Sequence, residues 1–247
     1  MPKTTDYRLT KVIWGSITNA VKKGNVDALK ALIAAGADIN KTRTLFQIVG
    51  GWYKNQTLLS VAVENGHSFL VAHLLENGAD VNQANRSGDT ALICAVRKNK
   101  LDMVEALHAD PKIDVNQANY YGETALIYAV RQNNLDMVEV LLDLPSIDVN
   151  KADNFGNGPL FLAIENGNID IFSKILEKGD IDVNKANSIG DTLLLLAVKN
   201  GKIDIVSVLL ATEGIDVNQS GRNGETALMC AARNNKLDVV EALLSDP

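Results

Sequence analysis

Catalysis or metal binding needs nucleophiles, acids, bases or ligands brought together, and this chain supplies few. Its histidines are His67, His73 and His108, and its cysteines are Cys94 and Cys230. No Cys or acid cluster stands at zinc-ligand spacing from any of the histidines. The cysteines hold the same place in two segments four repeats apart. At roughly 10 Å per packed helix layer they would lie on the order of 40 Å from each other. No disulfide spans that distance, so both read as small buried hydrophobes. Asp89, Glu123, Asp191 and Glu225 form a periodic acidic row that suggests paired carboxylates. Each of them, however, directly precedes a Thr that can open a helix, where an acid favours the positive end of the helix dipole. Gly156-Asn157-Gly158 resembles a fragment of a phosphate loop but lacks the strand before it and the helix after it. No catalytic constellation emerges, and no metal or cofactor is expected.

The regularity of that acidic row belongs to a larger pattern. Ile-Asp-Val-Asn occurs at Ile113–Asn116, Ile147–Asn150, Ile181–Asn184 and Ile215–Asn218, with starts 34 residues apart, and Ala79–Asn82 extends the series upstream. A second marker keeps step: Gly88–Ala95 recurs at Gly122–Ala129, Gly190–Ala197 and Gly224–Ala231, with variants at Asn55–Ala62 and Gly156–Ala163. A fixed period of this length marks a repeat architecture.

Each unit reads as helix, turn, helix, loop. The Thr90 hydroxyl can satisfy backbone N–H groups that have no partner inside the helix. Leu92, Ala95 and Val96 then form one apolar stripe. Asn99 and its equivalents Gly66, Asn133, Gly167, Gly201 and Asn235 sit where the first helix must stop, and Gly and Asn tolerate the left-handed conformation common there. Leu101, Met103, Val104 and Leu107 give the second helix its stripe. One unit cannot bury both stripes, so neighbours must stack to form a continuous core. Ala95, Ala129, Ala163, Ala197 and Ala231 would let successive first helices approach closely. The predicted fold is therefore all-α: a solenoid of about seven helix-turn-helix repeats forming a single domain over residues 1–247.

Composition agrees with a packed core. Hydrophobic residues make up 46% of the 247 residues and aromatics only 5%, so aliphatic side chains must fill the interior. A formal net charge of −6 gives little attraction for nucleic acid or an anionic membrane. No stretch approaches the roughly 20 apolar residues of a membrane span, and the N-terminus shows no secretory h-region. With two cysteines, an intracellular, cytoplasmic setting is expected.

The residues resemble the ankyrin repeat family. Its pattern is a Gly-x-Thr-Pro-Leu-His-x-Ala first helix, a Gly break, an Ile-Val-x-x-Leu-Leu second helix and a Gly-Ala-Asp-Val-Asn loop. Leu74–Asn82, preceded by Asn65-Gly66-His67, is very similar to it, as is Ala28–Asn40. Thr-Ala-Leu replaces Thr-Pro-Leu-His in most units, and most loops carry one extra residue, as at Leu144–Asp148. The expected units are Leu9–Asn40 (an N-terminal cap), Lys41–Asn82, Gln83–Asn116, Gln117–Asn150, Lys151–Asn184, Lys185–Asn218 and a truncated Gln219–Pro247. The truncation suggests either a boundary within a longer protein or a last repeat without a polar cap. The insertion Lys41–Lys54 adds an apolar loop containing Trp52 and Tyr53. It reads equally as a binding device and as a cover for the first repeat's core.

The resemblance implies a protein partner held on a concave face built of loop tips and first helices. Structural demand recurs with the repeat, so positions that vary within the period are free for another use. The varying tips are Arg86-Ser87, Tyr120-Tyr121, Asn154-Phe155, Ser188-Ile189 and Arg222-Asn223. Tyr and Phe are the kind of residue that dominates binding energy at interfaces. First helices end in a partly basic edge, Arg97-Lys98, Arg131-Gln132, Glu165-Asn166, Lys199-Asn200 and Arg233-Asn234, which reads either as a solvated face or as a complement to an acidic partner segment. The candidate partner-binding set is thus Trp52, Tyr53, Arg86, Asp89, Arg97, Tyr120, Tyr121, Glu123, Arg131, Asn154, Phe155, Ile189, Asp191, Arg222 and Glu225. The expected role is a scaffold or adaptor for another protein, not an enzyme, with no nucleic-acid, membrane or small-molecule partner. The alternative is the targeting module of a larger enzyme, or of an effector delivered into a host cell.

Overall fold

The computed structural model describes residues 7–40, 56–179 and 181–245. The Lys41–Lys54 insertion, and with it Trp52 and Tyr53, lies outside the described residues. These contain fourteen α-helices and no strand. Contacts divide the chain into two compact units, Met1–Tyr120 and Tyr121–Pro247.

The first unit contains α1 (Tyr7–Lys22), α2 (Val26–Ala34), α3 (Leu58–Asn65), α4 (Ser68–Glu76), α5 (Ala91–Arg97) and α6 (Leu101–His108). Helices pair within a repeat, and each first helix also packs on the next: α1 on α3 and α3 on α5. Ile17, Leu29, Leu58, Leu70, Leu74, Ile93, Met103 and Leu107 are buried between them.

The second unit repeats the scheme with α7 (Ala125–Arg131), α8 (Leu135–Leu142), α9 (Pro159–Asn166), α10 (Ile169–Leu176), α11 (Leu193–Asn200), α12 (Ile203–Leu210), α13 (Ala227–Arg233) and α14 (Leu237–Ser245). Its first helices α7, α9, α11 and α13 pack in series, and its second helices α8, α10, α12 and α14 do the same. Phe172 on α10 is a fully buried aromatic, and Phe161 on α9 is a second buried one in a mostly aliphatic core.

The local signals act as their chemistry dictates. Thr57, Thr90, Thr124, Thr192 and Thr226 each accept a backbone N–H three residues on, capping their helix. In the fifth repeat Gly158 takes that place and Pro159 fills the first helical turn, where a missing N–H matters least. First helices end on a left-handed residue, such as Gly167 at φ +68° or Asn133 at φ +55°. The conserved-spacing alanines Ala95, Ala129, Ala163, Ala197 and Ala231 are completely buried. The extra residue of the Leu144–Asp148 loop is accommodated at Ser146, which is itself left-handed at φ +63°.

Candidate functional site

Several loop tips are pinned from two sides. Two residues before the tip residue, an Asn or Asp folds back on the turn. Asn85 Oδ1 accepts the N–H groups of Ser87 and Asp89. Asp153 Oδ1 accepts those of Phe155 and Asn157 at 2.9 and 3.0 Å. Asn187 does the same for Ile189 and Asp191. The second pin joins neighbouring tips. The Tyr120 N–H donates to the Ser87 carbonyl at 3.3 Å in the first unit, and the Asn154 N–H to the Tyr121 carbonyl at 3.0 Å in the second. The Ser188 hydroxyl donates to the Phe155 carbonyl. Close approach explains the glycine that follows four of the tips, Gly88, Gly122, Gly156 and Gly190. A Cβ on Gly156, whose φ is +78°, would fall 2.7 Å from the Ser188 nitrogen. No other residue type suits both that dihedral angle and that gap.

The tips so held turn their side chains outward. Tyr120 closes the first unit at 71% exposure. In the second unit Tyr121, Phe155 and Ile189 occupy one position of three successive tips and are 61%, 67% and 60% exposed. Arg86, Asn154 and Arg222 are also exposed. Large apolar side chains this exposed are unusual in a monomer when they line up along one edge.

The acidic row is arranged differently. Asp89, Glu123 and Asp191 are buried, and Glu225 is partly so. Each pairs with the base eight residues later at the end of its own helix: Asp89 with Arg97, Glu123 with Arg131, Asp191 with Lys199 at 2.5 Å and Glu225 with Arg233 at 2.7 Å. The partly basic edge is therefore largely neutralised from within. Arg97 goes further. Its second terminal nitrogen reaches Glu64 of the preceding repeat at 3.0 Å and also lies 3.5 Å from Cys94 Sγ. Burial opposes its charge, but Cys94, Asp89 and Glu64 together raise its pKa above the ordinary value. Arg131 likewise spans two carboxylates, Glu123 and Asp153, the latter at 3.2 Å.

Two repeats break the scheme in the same way. At the acid position they carry Gln56 and Asn157, and at the base position Glu64 and Glu165. Glu64 is held by Gln56 and Arg97. Glu165 is exposed on the last turn of α9, and the adjacent repeat presents Lys199, which is engaged with Asp191. Asp153 and Glu64 are not among the sequence candidates, and Glu165 enters there only as one position of the partly basic edge. The signal available for them was a reversal of residue type against an otherwise strict 34-residue pattern.

His67 Nε2 lies 3.0 Å from the Lys22 carbonyl oxygen, capping the end of α1. Cys94 and Cys230 are fully buried. Among the described residues, no three His, Cys, Asp or Glu side chains gather as a metal ion would require. Nor is any described helix long and apolar enough to cross a membrane.

Comparison with known proteins gives consistent relationships. The family model described as ankyrin repeats in three copies matches residues 17–119, 99–187 and 160–247. Among solved structures, the ankyrin repeat domain of Bcl-3, a member of the IkappaB protein family, superposes with a TM-score of 0.80 at 26% identity, covering 93% of this chain and 98% of that one. An ankyrin repeat domain from Acinetobacter baumannii AYE superposes with a TM-score of 0.69 at 26% identity, covering 75% of this chain and 95% of the other. Curated relatives include the E3 ubiquitin-protein ligase XB3 of Oryza sativa subsp. japonica, 33% identical over 95 residues, which are 38% of this chain. An ankyrin repeat protein of Coxiella burnetii is 30% identical over 109 residues, 39% of this chain. The matched regions span only 20% and 30% of those two relatives.

Proposed function

Because this chain belongs to the ankyrin repeat family, whose repeats generally mediate protein–protein interaction, we propose that it is a non-catalytic binding module that holds another protein on its loop tips. The observation that carries this reading is the row Tyr121, Phe155 and Ile189. Three large apolar side chains recur at the same place in three consecutive turns, and each is more than half exposed. Nothing in the packing of a repeat asks for them, since Ser87 and Asn223 serve at the same position elsewhere. Tyr120, Asn154, Arg86 and Arg222 extend the proposed contact within their own units. Asp89, Glu123, Asp191, Glu225, Arg97 and Arg131 support it from beneath by fixing the tips through ion pairs. The compartment we favour is the cytoplasm.

A pull-down of partner proteins with the whole chain, set beside the Tyr121→Ala/Phe155→Ala/Ile189→Ala variant, tests the placement. The recovered partner should bind the variant at least about tenfold more weakly, since aromatic hot spots are worth 2 kcal/mol or more each. Circular dichroism should be unchanged. Equal affinity would move the contact elsewhere.

One observation favours a second reading, a targeting module of a larger enzyme. The curated ligase relative is matched over 95 residues, a fifth of its length. An in-frame catalytic domain in the full transcript would support that reading, and a stop codon directly after Pro247 would count against it.

A further inference from the structure

We infer that the partner segment gripped by the second unit is cationic: an extended stretch of another protein with a Lys or Arg set among apolar residues, its charge received by Glu165. The inference rests on the proposed binding role of the Tyr121, Phe155 and Ile189 row and names the chemistry that role selects.

Three facts combine. First, the place Glu165 occupies is defined by its equivalents. Arg131, Lys199 and Arg233 stand at the same position and reach back along the helix to the acid eight residues earlier, at the base of the tip. Glu165 therefore stands on the last turn of α9, the first helix that follows the tip bearing Phe155, in the repeat between those bearing Tyr121 and Ile189. Second, two of the cations near it are committed, while a third, Lys202, has its ammonium against Gly167 at the end of the same helix. Arg131 is shared by Glu123 and Asp153, and Lys199 is bound to Asp191. In the one other repeat built this way, Glu64 is closed by Arg97. Third, the wider field has the matching sign. Residues 121–247 contain ten Lys and Arg against nineteen Asp and Glu, a formal charge of −9, whereas residues 1–120 carry +3. An excess of negative charge on one unit draws in a positive segment and repels nucleic acid. An apolar row at one end of the first helices and an exposed carboxylate at the other then fix the bound register of an extended segment. The apolar side chains lie on the aromatics, and the basic one donates to Glu165 in a charge-assisted hydrogen bond.

The test begins with a phage-displayed library of random dodecapeptides, panned over the immobilised whole chain. Enriched peptides are synthesised with a fluorescein label and titrated by anisotropy. The inference expects Lys or Arg flanked by apolar residues in the enriched set. It also expects about tenfold weaker binding to Glu165→Gln, the usual scale for losing one charge-assisted hydrogen bond. Lys199→Arg should weaken binding as well, because a guanidinium can bridge Asp191 and Glu165 and close the site. Glu139→Gln on α8 should leave binding unchanged. Added salt should weaken binding to the wild type more than to Glu165→Gln. Peptides that need Tyr121, Phe155 and Ile189 yet bind Glu165→Gln equally well would overturn the cationic assignment and leave the tip site standing. Peptides indifferent to both sets of substitutions, or no enrichment at all, would overturn both.

Discussion

Glu64 and Glu165 are the same residue at the same point of the repeat, one in each compact unit, and they have opposite fates. Glu64 is mostly buried, bonded to Gln56 and joined to Arg97 of the following repeat. Glu165 is exposed, and the following repeat offers Lys199. The difference lies in the partner's shape. The planar guanidinium of Arg97 presents two terminal nitrogens, so one side chain serves Asp89 and Glu64 together. The ammonium of Lys199 is a single compact charge, spent on Asp191 at 2.5 Å. A swap between two residues often treated as equivalent thus decides whether a repeat seals its surface or leaves a carboxylate available.

The largest expected effect attacks the sealed side. Arg97→Ala leaves Asp89 buried without its cation and should destabilise the chain by about 3 kcal/mol, the scale for breaking a buried pair from one side. Urea denaturation reads this, and a loss below about 1 kcal/mol would show that Arg97 is not what closes that surface. Gly156→Ala comes next. A left-handed alanine pressed on the Ser188 nitrogen should cost about 2 kcal/mol and disturb the tips on which the open side depends. A smaller change should convert one region toward the other. Arg97→Lys keeps the Asp89 pair but frees Glu64, at a loss of about 1 kcal/mol, one net hydrogen bond. The smallest effects belong to the open side. Glu165→Gln should shift stability by no more than about 0.5 kcal/mol, as for an exposed residue with no structural duty. Lys199→Arg should stabilise by under about 1 kcal/mol. A large loss from Glu165→Gln would erase the contrast between the two glutamates.

Much of the architecture is legible in the sequence because it is enforced locally and repeatedly. Thr caps, left-handed Gly or Asn stops and buried alanines fall where the 34-residue period places them. The exposure of Tyr121, Phe155 and Ile189 follows from the same reasoning, since variation within a period marks positions that packing does not use. The ion-pair network was less legible. Sequence spacing places Asp89 at a helix start and Arg97 at its end, but periodicity alone does not say that a long Arg folds back over two turns to meet the acid. The pairing of Arg131 with Asp153 crosses from one repeat to the next and depends on how closely they stack. The meaning of Glu165 emerges only once its neighbours are seen to be committed.

The most direct measurement is a map of backbone amide shifts in the whole chain, labelled with nitrogen-15, as a library-selected peptide is added. The account predicts that the largest shifts fall on Tyr121, Phe155, Ile189 and the last turn of α9 around Glu165. Shifts concentrated on the second helices α8, α10 and α12, with the tips silent, would contradict it.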